Sequence, residues 1–412
     1  MDLVQEGCER MTREQADVRM TQRRRRMERR ELQERREAEG RELARGPVDL
    51  PFLLLVLLLT AIGLIMLFSA SFPSAYYKIG KPTYYLTRQG VFAVMGIAVM
   101  FLISKINYQR FRGAAKPLLA LSIMLLMLVL VPGVGITRNN ATRWLGVGEL
   151  LTFQPSEIAK MAVVLYFADT ISKKKDRMQT FRYGILPYVF VLGIISVLML
   201  LEPHLSGTVL ILATGAVLML VGGIEWKWVL GALGCAGAGI FVLMSGLIKY
   251  GHSRIAMWEN PWLDARGQGY QMVQSLLAIG SGGLLGTGLG RSRQKFLFLP
   301  EEHNDFIFSI VCEELGLIGA ALIMLLFAAL ILRGYWIALH ARDRFGSLLV
   351  VGIITLVALQ TFLNIGVVTG LLPATGISLP FFSYGGTALS LQLAEMGVVL
   401  SVSRQMKPPK AG

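Results

Sequence analysis

The sequence predicts an all-α integral membrane protein with about ten transmembrane helices and one long extracytoplasmic loop. Three observations carry that prediction. The chain is 54% hydrophobic and only 17% charged, against about 25% charged in a soluble domain. Apolar runs of span length recur along it, where one crossing needs roughly 20 apolar residues rising 1.5 Å each. Outside one tail, the basic residues gather between those runs, where topology by charge puts them.

Taken in order, residues 1–47 form a charged tail with 13 Arg, 11 acids and no Lys. Pairs such as Glu31 with Arg35 and Glu37 with Arg41 favour a helix, but no apolar stripe accompanies them. A solvated cytoplasmic helix is the plain reading, with the Arg23–Arg26 run available to anionic lipid. The membrane domain is expected over 48–404, and 405–412 is a short second tail. Spans are expected near 50–71, 89–104, 114–132, 156–172, 183–201, 206–222, 228–247, 306–332, 346–369 and 385–403. With the amino terminus inside, cytoplasmic segments hold 16 basic residues and the short outer loops six. That bias puts both termini in the cytoplasm. No cleavable signal is expected, because the first apolar stretch begins after Asp49 and is span-length.

The net charge of +14 invites a nucleic-acid partner, but its distribution between spans argues for none. Cys8, Cys235 and Cys312 are scattered without metal or disulfide spacing. The long outer segment 248–305 carries six basic residues and the glycines Gly280, Gly282, Gly283, Gly286, Gly288 and Gly290. Neither a preceding strand nor a following Gly-Lys-Ser/Thr makes them a nucleotide loop. They suit tight turns where backbone lies against the bilayer or lines a cavity. Just before them, Tyr270–Ile279 reads as a short interfacial helix.

Ionisable residues at span edges are functional candidates, since their desolvation must be offset. Four clusters qualify. In the first, Arg143 leads to Gln154-Pro155-Ser156-Glu157, and Glu157 and Lys160 share a helix face. They read either as a structural ion pair or as a substrate-binding cation, with Arg143 ready for phosphate oxygens. The second, Glu202 to Thr208, offers His204 as a proton carrier or simply a capped turn. The third runs from Leu299 through Glu301, Glu302, His303, Asn304 and Asp305 to Glu313 and Glu314. Asp305 stands where the loop re-enters the membrane, so desolvation lifts its pKa toward a base's range; capping the next helix is the alternative. Glu302, His303 and Asp305 lack zincin spacing for a metal. The fourth, Pro373 to Thr387, holds two prolines and three glycines, non-helical backbone tolerated only around a cavity. Its Ser383 and Tyr384 supply uncharged hydrogen-bond partners, and Glu395 is a further buried acid without an evident partner. Together these predict an outward-facing cavity rimmed by Arg143, Lys160, Arg291, Arg293 and Lys295 around a central acid. Such a cavity suits an anionic, lipid-linked amphiphile and proton abstraction during transfer.

In order and spacing, TRWL with QPSEIAK, GQGYQMVQSLLAIGSGGLLGTGLG, LPEEHNDFIFSIVCEELG and LPFFSYGGT resemble the SEDS family (shape, elongation, division and sporulation), which includes FtsW, RodA and SpoVE. The resemblance spans roughly residues 50–404. It implies a peptidoglycan glycosyltransferase that polymerises lipid II on the outer face of the cytoplasmic membrane. It implies Asp305 as the catalytic base and matches the family's basic positions at Arg143 and Lys160; these two, with Glu157, Arg291, Lys295, His303, Ser383 and Tyr384 from the clusters above, are the candidate substrate-binding residues. A bound Mg²⁺ or Mn²⁺ would fit such chemistry, though no metal ligands are assigned. Partners implied are a class B penicillin-binding protein, undecaprenyl-pyrophosphate-linked glycan and other divisome membrane proteins. The long tail and the LPFFSYGGT form lean toward the division or sporulation branch, most like FtsW, and hence the septum. A RodA-type elongation polymerase, a lipid II flippase and a recruiting scaffold are the alternatives. Three departures stand out: His204 where an acid is common, Asn304 where Thr is common, and Glu395.

Overall fold

A computed structural model describes residue 27 and residues 46–138, 141–147, 151–228, 231 and 258–406. Ten helices organise these residues. They are α1 (Leu50–Ile79), α2 (Tyr84–Lys105), α3 (Phe111–Val129), α4 (Pro155–Lys174) and α5 (Leu186–Leu201). Then come α6 (Leu205–Val221), α7 (Tyr270–Gly282), α8 (Ile307–Leu339), α9 (Arg344–Val368) and α10 (Gly386–Ser403). Among the described residues, seven helical stretches are long and apolar enough to cross a membrane. α4 has spanning length at 20 residues, but Glu157, Lys160, Asp169, Lys173 and Lys174 reduce its mean hydropathy. α6 is apolar but shorter, at 17 residues.

Nine of the ten expected spans therefore coincide with described helices, and the expected span 228–247 lies almost wholly outside the described residues. So does nearly all of the 1–47 tail. Helix ends extend past the apolar runs: α1 continues through Pro73 to Tyr76, Tyr77 and Ile79, aromatic residues suited to a membrane–water boundary. The expected short outer helix is α7, three residues longer than its apolar stretch and packed on α8 through Met272, Val273, Ser275 and Ala278.

A feature absent from the expected all-α scheme lies between α3 and α4. Strands β1 (Ile136–Arg138), β2 (Ala141–Val147) and β3 (Leu151–Phe153) form an antiparallel meander. Trp144 pairs with Ile136, Thr142 with Thr137, and Leu145 with Phe153, pairs of β-branched and aromatic residues that favour a pleated surface. These strands are too short and too close to a helical motif to be seen by periodicity.

α9 lies at the centre, with 67% of its most apolar stretch buried; α4, α6 and α8 pack around it. α2 lies along α10 through small residues, including Ala93, Gly96 and Gly397, as membrane helices do where hydrophobicity alone cannot drive association. One end of the bundle is tied by ion pairs. Asp49 caps α1 by accepting from the Phe52 amide (3.0 Å) and receives two bonds from Arg333 (2.9 and 2.7 Å). Arg112 joins Asp343 (2.9 Å) and Asp169 (3.6 Å), while Arg344 donates to the Gly222 carbonyl (2.7 Å). These groups all fall on segments expected to face the cytoplasm. The opposite end carries the meander, the 202–206 turn, the 283–306 segment and the 369–385 segment.

The glycines of 280–290 serve close backbone approach. α8 breaks at Gly316, whose φ is 66°, and the 283–288 chain lies in the gap, its Thr287 and Gly288 amides donating to Glu313 and Glu314 carbonyls (2.9 and 3.0 Å). A Cβ on Gly286, at φ 78°, would sit 2.2 Å from the Glu314 carbonyl oxygen. Gly286→Ala is therefore expected to destabilise the fold by about 2 kcal/mol from the strained φ alone, with more from the clash. The measurement is the apparent melting temperature of the full chain in detergent, which should fall relative to Gly90→Ala, a site with open space.

Candidate active site

The two irregular loops that the sequence singles out meet at the end of the bundle opposite the ion pairs. Three backbone clamps hold the 301–306 loop to the 376–385 loop. The Tyr384 amide donates to the His303 carbonyl (2.9 Å), and the Ser383 hydroxyl donates to the Asn304 carbonyl (2.7 Å). Asn364 of α9 donates from its side-chain nitrogen to both the Asp305 carbonyl (2.7 Å) and the Ile377 carbonyl (2.6 Å). From the other side Gln89 of α2 donates to the Ser383 carbonyl (3.2 Å) and accepts from the Gly385 amide (3.1 Å). Glu301 at φ 56° and Phe381 at φ 65° are non-glycine residues in the left-handed region, a strain that persists only where the surroundings fix it.

Asp305 sits in this junction, its Oδ2 against Gly376, where a Cβ would lie 3.1 Å away. Burial lifts its pKa to about 6, with Glu301 pushing the same way and Arg143 and His303 opposing. It does not cap α8: the N-cap residue is Phe306, and no side-chain cap bond forms. His303 is buried, its Nδ1 3.2 Å from Glu302 Oε1 and its ring 4.5 Å from Tyr85 and 5.9 Å from Tyr384.

The meander delivers Arg143 to the same end. Its guanidinium donates to the Glu202 carbonyl (3.2 Å) and the Pro203 carbonyl, pinning the 202–206 turn, and Ser206 in turn donates to the Thr375 carbonyl (2.5 Å). Both residues singled out in that turn are buried. Burial raises Glu202 to about 8 against the pull of Arg143. It lowers His204 to about 3, helped by Arg143 and Lys160, so His204 is a neutral ring near neutral pH and no ready proton carrier. His204 precedes α6 without a side-chain cap bond.

A cleft with about 510 Å³ of open space runs beside the junction. Glu157, Lys160, Ser383, Tyr384, Gln392 and Glu395 line it. Lys160 pairs with Glu157 at 2.8 Å, and Glu395, without an evident partner in the sequence, faces the same space from α10. This differs from the expected rim. Arg143 and Asp305 do not line the cleft; Asp305 stands beyond the 376–384 loop. Arg291 is exposed on the 283–298 segment, away from the cleft. Lys295 is buried in an ion pair with Glu314 (2.8 Å), because a cation folded beneath the loop is held by the nearest acid and not by solvent. Among the described residues no group of three or more His, Cys, Asp or Glu is placed to hold a metal, so Glu302, His303 and Asp305 do not form one.

Sequence reasoning missed Gln89, Asn364 and Tyr85. The available signal was an amide inside an apolar span: Gln89 and Asn364 are each 1% exposed, and a buried amide implies a backbone partner.

The sequence model for FtsW, RodA and SpoVE, described as cell cycle protein, matches residues 49–408. The chain belongs to this family. It is 44% identical to stage V sporulation protein E of Bacillus subtilis, covering 86% of this chain and 97% of that one. It is 42% identical to a probable peptidoglycan glycosyltransferase FtsW of Geobacter metallireducens, over 87% and 95% of the two chains. Its fold matches a chain of a solved peptidoglycan synthase complex with a TM-score of 0.72 at 30% identity, covering 87% and 98%. The rod shape determining protein RodA of Thermus thermophilus matches with a TM-score of 0.65 at 29% identity, covering 88% and 98%. A multi-pass membrane protein of FtsW/RodA/SpoVE type follows from helices and family together.

Asn364→Leu would leave the Asp305 and Ile377 carbonyls without that donor, costing about 1–3 kcal/mol for each unsatisfied group. The expected result is a lower melting temperature in detergent. Thr361→Val, which removes only a bond back to Val357 one turn earlier, should change it little.

Proposed function

We propose that this protein is a peptidoglycan glycosyltransferase that polymerises lipid II at the outer face of the cytoplasmic membrane. The observation that carries the reading is Asp305, an acid lifted to about 6 and fixed where two clamped loops meet. A base that is deprotonated near neutral pH yet strongly basic for a carboxylate suits removal of a sugar hydroxyl's proton. In this reading Asp305 takes the proton of the acceptor's 4-hydroxyl. That oxygen attacks the anomeric carbon of the lipid-linked donor, the carbon–oxygen bond to pyrophosphate breaks, and the configuration inverts from α to β.

The charges divide the remaining work. The leaving pyrophosphate calls for a cation, and Arg143, whose charge acts on Asp305, Glu202 and His204, is the candidate. Lys160 is already paired, and its cleft holds two acids to one cation. Such a surface suits hydroxyl and amide groups of sugar or peptide better than pyrophosphate. The lipid tail would rest in the bilayer beside the bundle.

The relatives named FtsW and SpoVE, the charged tail and the LPFFSYGGT form favour division at the septum over elongation. The likeness to a chain of a complex that couples polymerization to crosslinking supports a transpeptidase partner, a class B penicillin-binding protein, among other divisome proteins. A second reading, lipid II flipping, is favoured by one observation: Glu395 lies mid-way along α10, deep in the bundle. A vesicle assay of labelled lipid II separates the two.

With its partner, the purified wild type should make glycan from lipid II, and Asp305→Asn should lower turnover by about 10²–10⁴-fold. Normal polymerisation by that variant would overturn the reading. The pH dependence has a definite sign. Below about 6 the carboxyl is protonated and cannot accept a proton, so the rate should climb about tenfold per pH unit up to that point and level off above it. A pH–rate profile of initial glycan synthesis checks it.

A further inference from the structure

Lys295 and Glu314 are the least expected charges in the chain. Their side chains are 3% and 0% exposed, and Lys295 Nζ lies 2.8 Å from Glu314 Oε1. Ser69 of α1 joins them, receiving a bond from Lys295 (3.0 Å) and donating to both Glu314 oxygens (2.8 and 2.7 Å). The neighbouring Glu313 carboxylate accepts from the Ser292 hydroxyl (2.5 Å) and from the Arg293 and Gln294 amides (2.8 and 3.4 Å). A buried ion pair of this kind contributes little net stability, because desolvation offsets the attraction. Its retention calls for another reason.

Position supplies one. Lys295 lies ten residues before Asp305 and Glu314 nine after it, so the knot closes a stretch of chain with Asp305 near its middle. On the way in, the chain is a series of short turns: Phe296 amide to Arg293 carbonyl (3.2 Å), Leu299 to Gln294 (2.9 Å), then Asn304 and Phe306 to Glu301 (3.0 and 3.3 Å). On the way out it is the first two turns of α8. Neither side has slack, so displacing the knot displaces the loop. The acid end of the knot also sits immediately before the break in α8 at Gly316, where helix geometry alone would not fix direction.

Resting on the polymerase reading above, we propose that the Lys295–Glu314 pair, with Glu313 and Ser69, is a positioning device that holds Asp305 in register against the 376–384 loop. Its members act through Asp305 and do not touch substrate. Lys295 is thus a determinant of the acid's placement and not a rim cation.

The test uses the full-length chain with Lys295→Met and Glu314→Gln combined, which removes both charges of the pair together and keeps an acceptor for Ser69. Two readouts separate this inference from the polymerase reading. Hydrogen exchange of amides 299–306 reports the loop without reference to activity, with α9 amides as the internal control. Turnover and KM for lipid II report the chemistry, beside wild type and Asp305→Asn. The expected result is at least tenfold faster exchange over 299–306 with α9 unchanged. Alongside it, kcat should fall about 10- to 100-fold, as a misplacement near 1 Å produces, KM should stay within twofold, and the acid limb should move away from about pH 6. Unchanged exchange over 299–306 overturns the inference whatever the activity. Faster exchange with wild-type kcat and acid limb overturns it too, leaving the knot merely structural. Should wild type make no glycan, the polymerase reading fails, and exchange alone then decides whether the knot holds the loop.

Discussion

Non-helical backbone at membrane depth must find all its hydrogen-bond partners inside the protein. That constraint organises the whole upper end of this structure. The 369–385 segment cannot bond to itself as a helix does, and hydrocarbon offers it nothing. Asn364 and Gln89, two buried amides on helices from opposite sides, supply donors and an acceptor instead. Each reaches across elements, so satisfying one loop also fixes the helix that carries the amide. The active-site loop is then clamped to a loop that is itself clamped to the bundle.

Placing an acid in this environment follows from the same economy of partners. The Asp305 carbonyl is held by Asn364, while its carboxyl lies beside Gly376, where the opposing charges of Arg143 and His303 do not offset burial. Burial therefore decides the pKa, and Glu301 adds to it. Contrast Glu313 on the same motif, 1% exposed, whose carboxylate receives a hydroxyl and two backbone amides. Eight residues apart, one acid is surrounded by donors and the other stands at the loop junction.

Much of this was legible in the sequence, and the limits have physical causes. Apolar runs reveal helices because burial in lipid demands length, so nine expected spans coincide with described helices while their ends, set by capping and interfacial aromatics, shift by up to eight residues at Ile79. The four polar clusters were visible because charge near lipid is conspicuous. Their convergence was half visible: proline and glycine in 373–387 announce a cavity, but only the fold brings Ser206 to Thr375 or Ser383 to Asn304. The meander was hidden, since two of its strands have only three residues and the seven of Ala141–Val147 do not alternate apolar with polar. Lys295 was misplaced for a plain reason. A lysine in a glycine-rich outer loop resembles a solvated cation until the loop is seen to fold back onto α8.

Arg143 illustrates how a motif can be singled out from the sequence while what it holds stays hidden. In TRWL it reads as a cation for phosphate. In the fold it grips the carbonyls of Glu202 and Pro203, and through that turn and Ser206 it reaches the loop that faces Asp305. A guanidinium is a planar fork of donors, and gripping two adjacent carbonyls fixes both its position and its orientation. Lysine at that position would keep the charge and lose the brace. The preference for arginine is thus one the scaffold itself sets, and the meander that presents it also accepts a bond from Thr387 of α10 at the Thr152 carbonyl (3.2 Å).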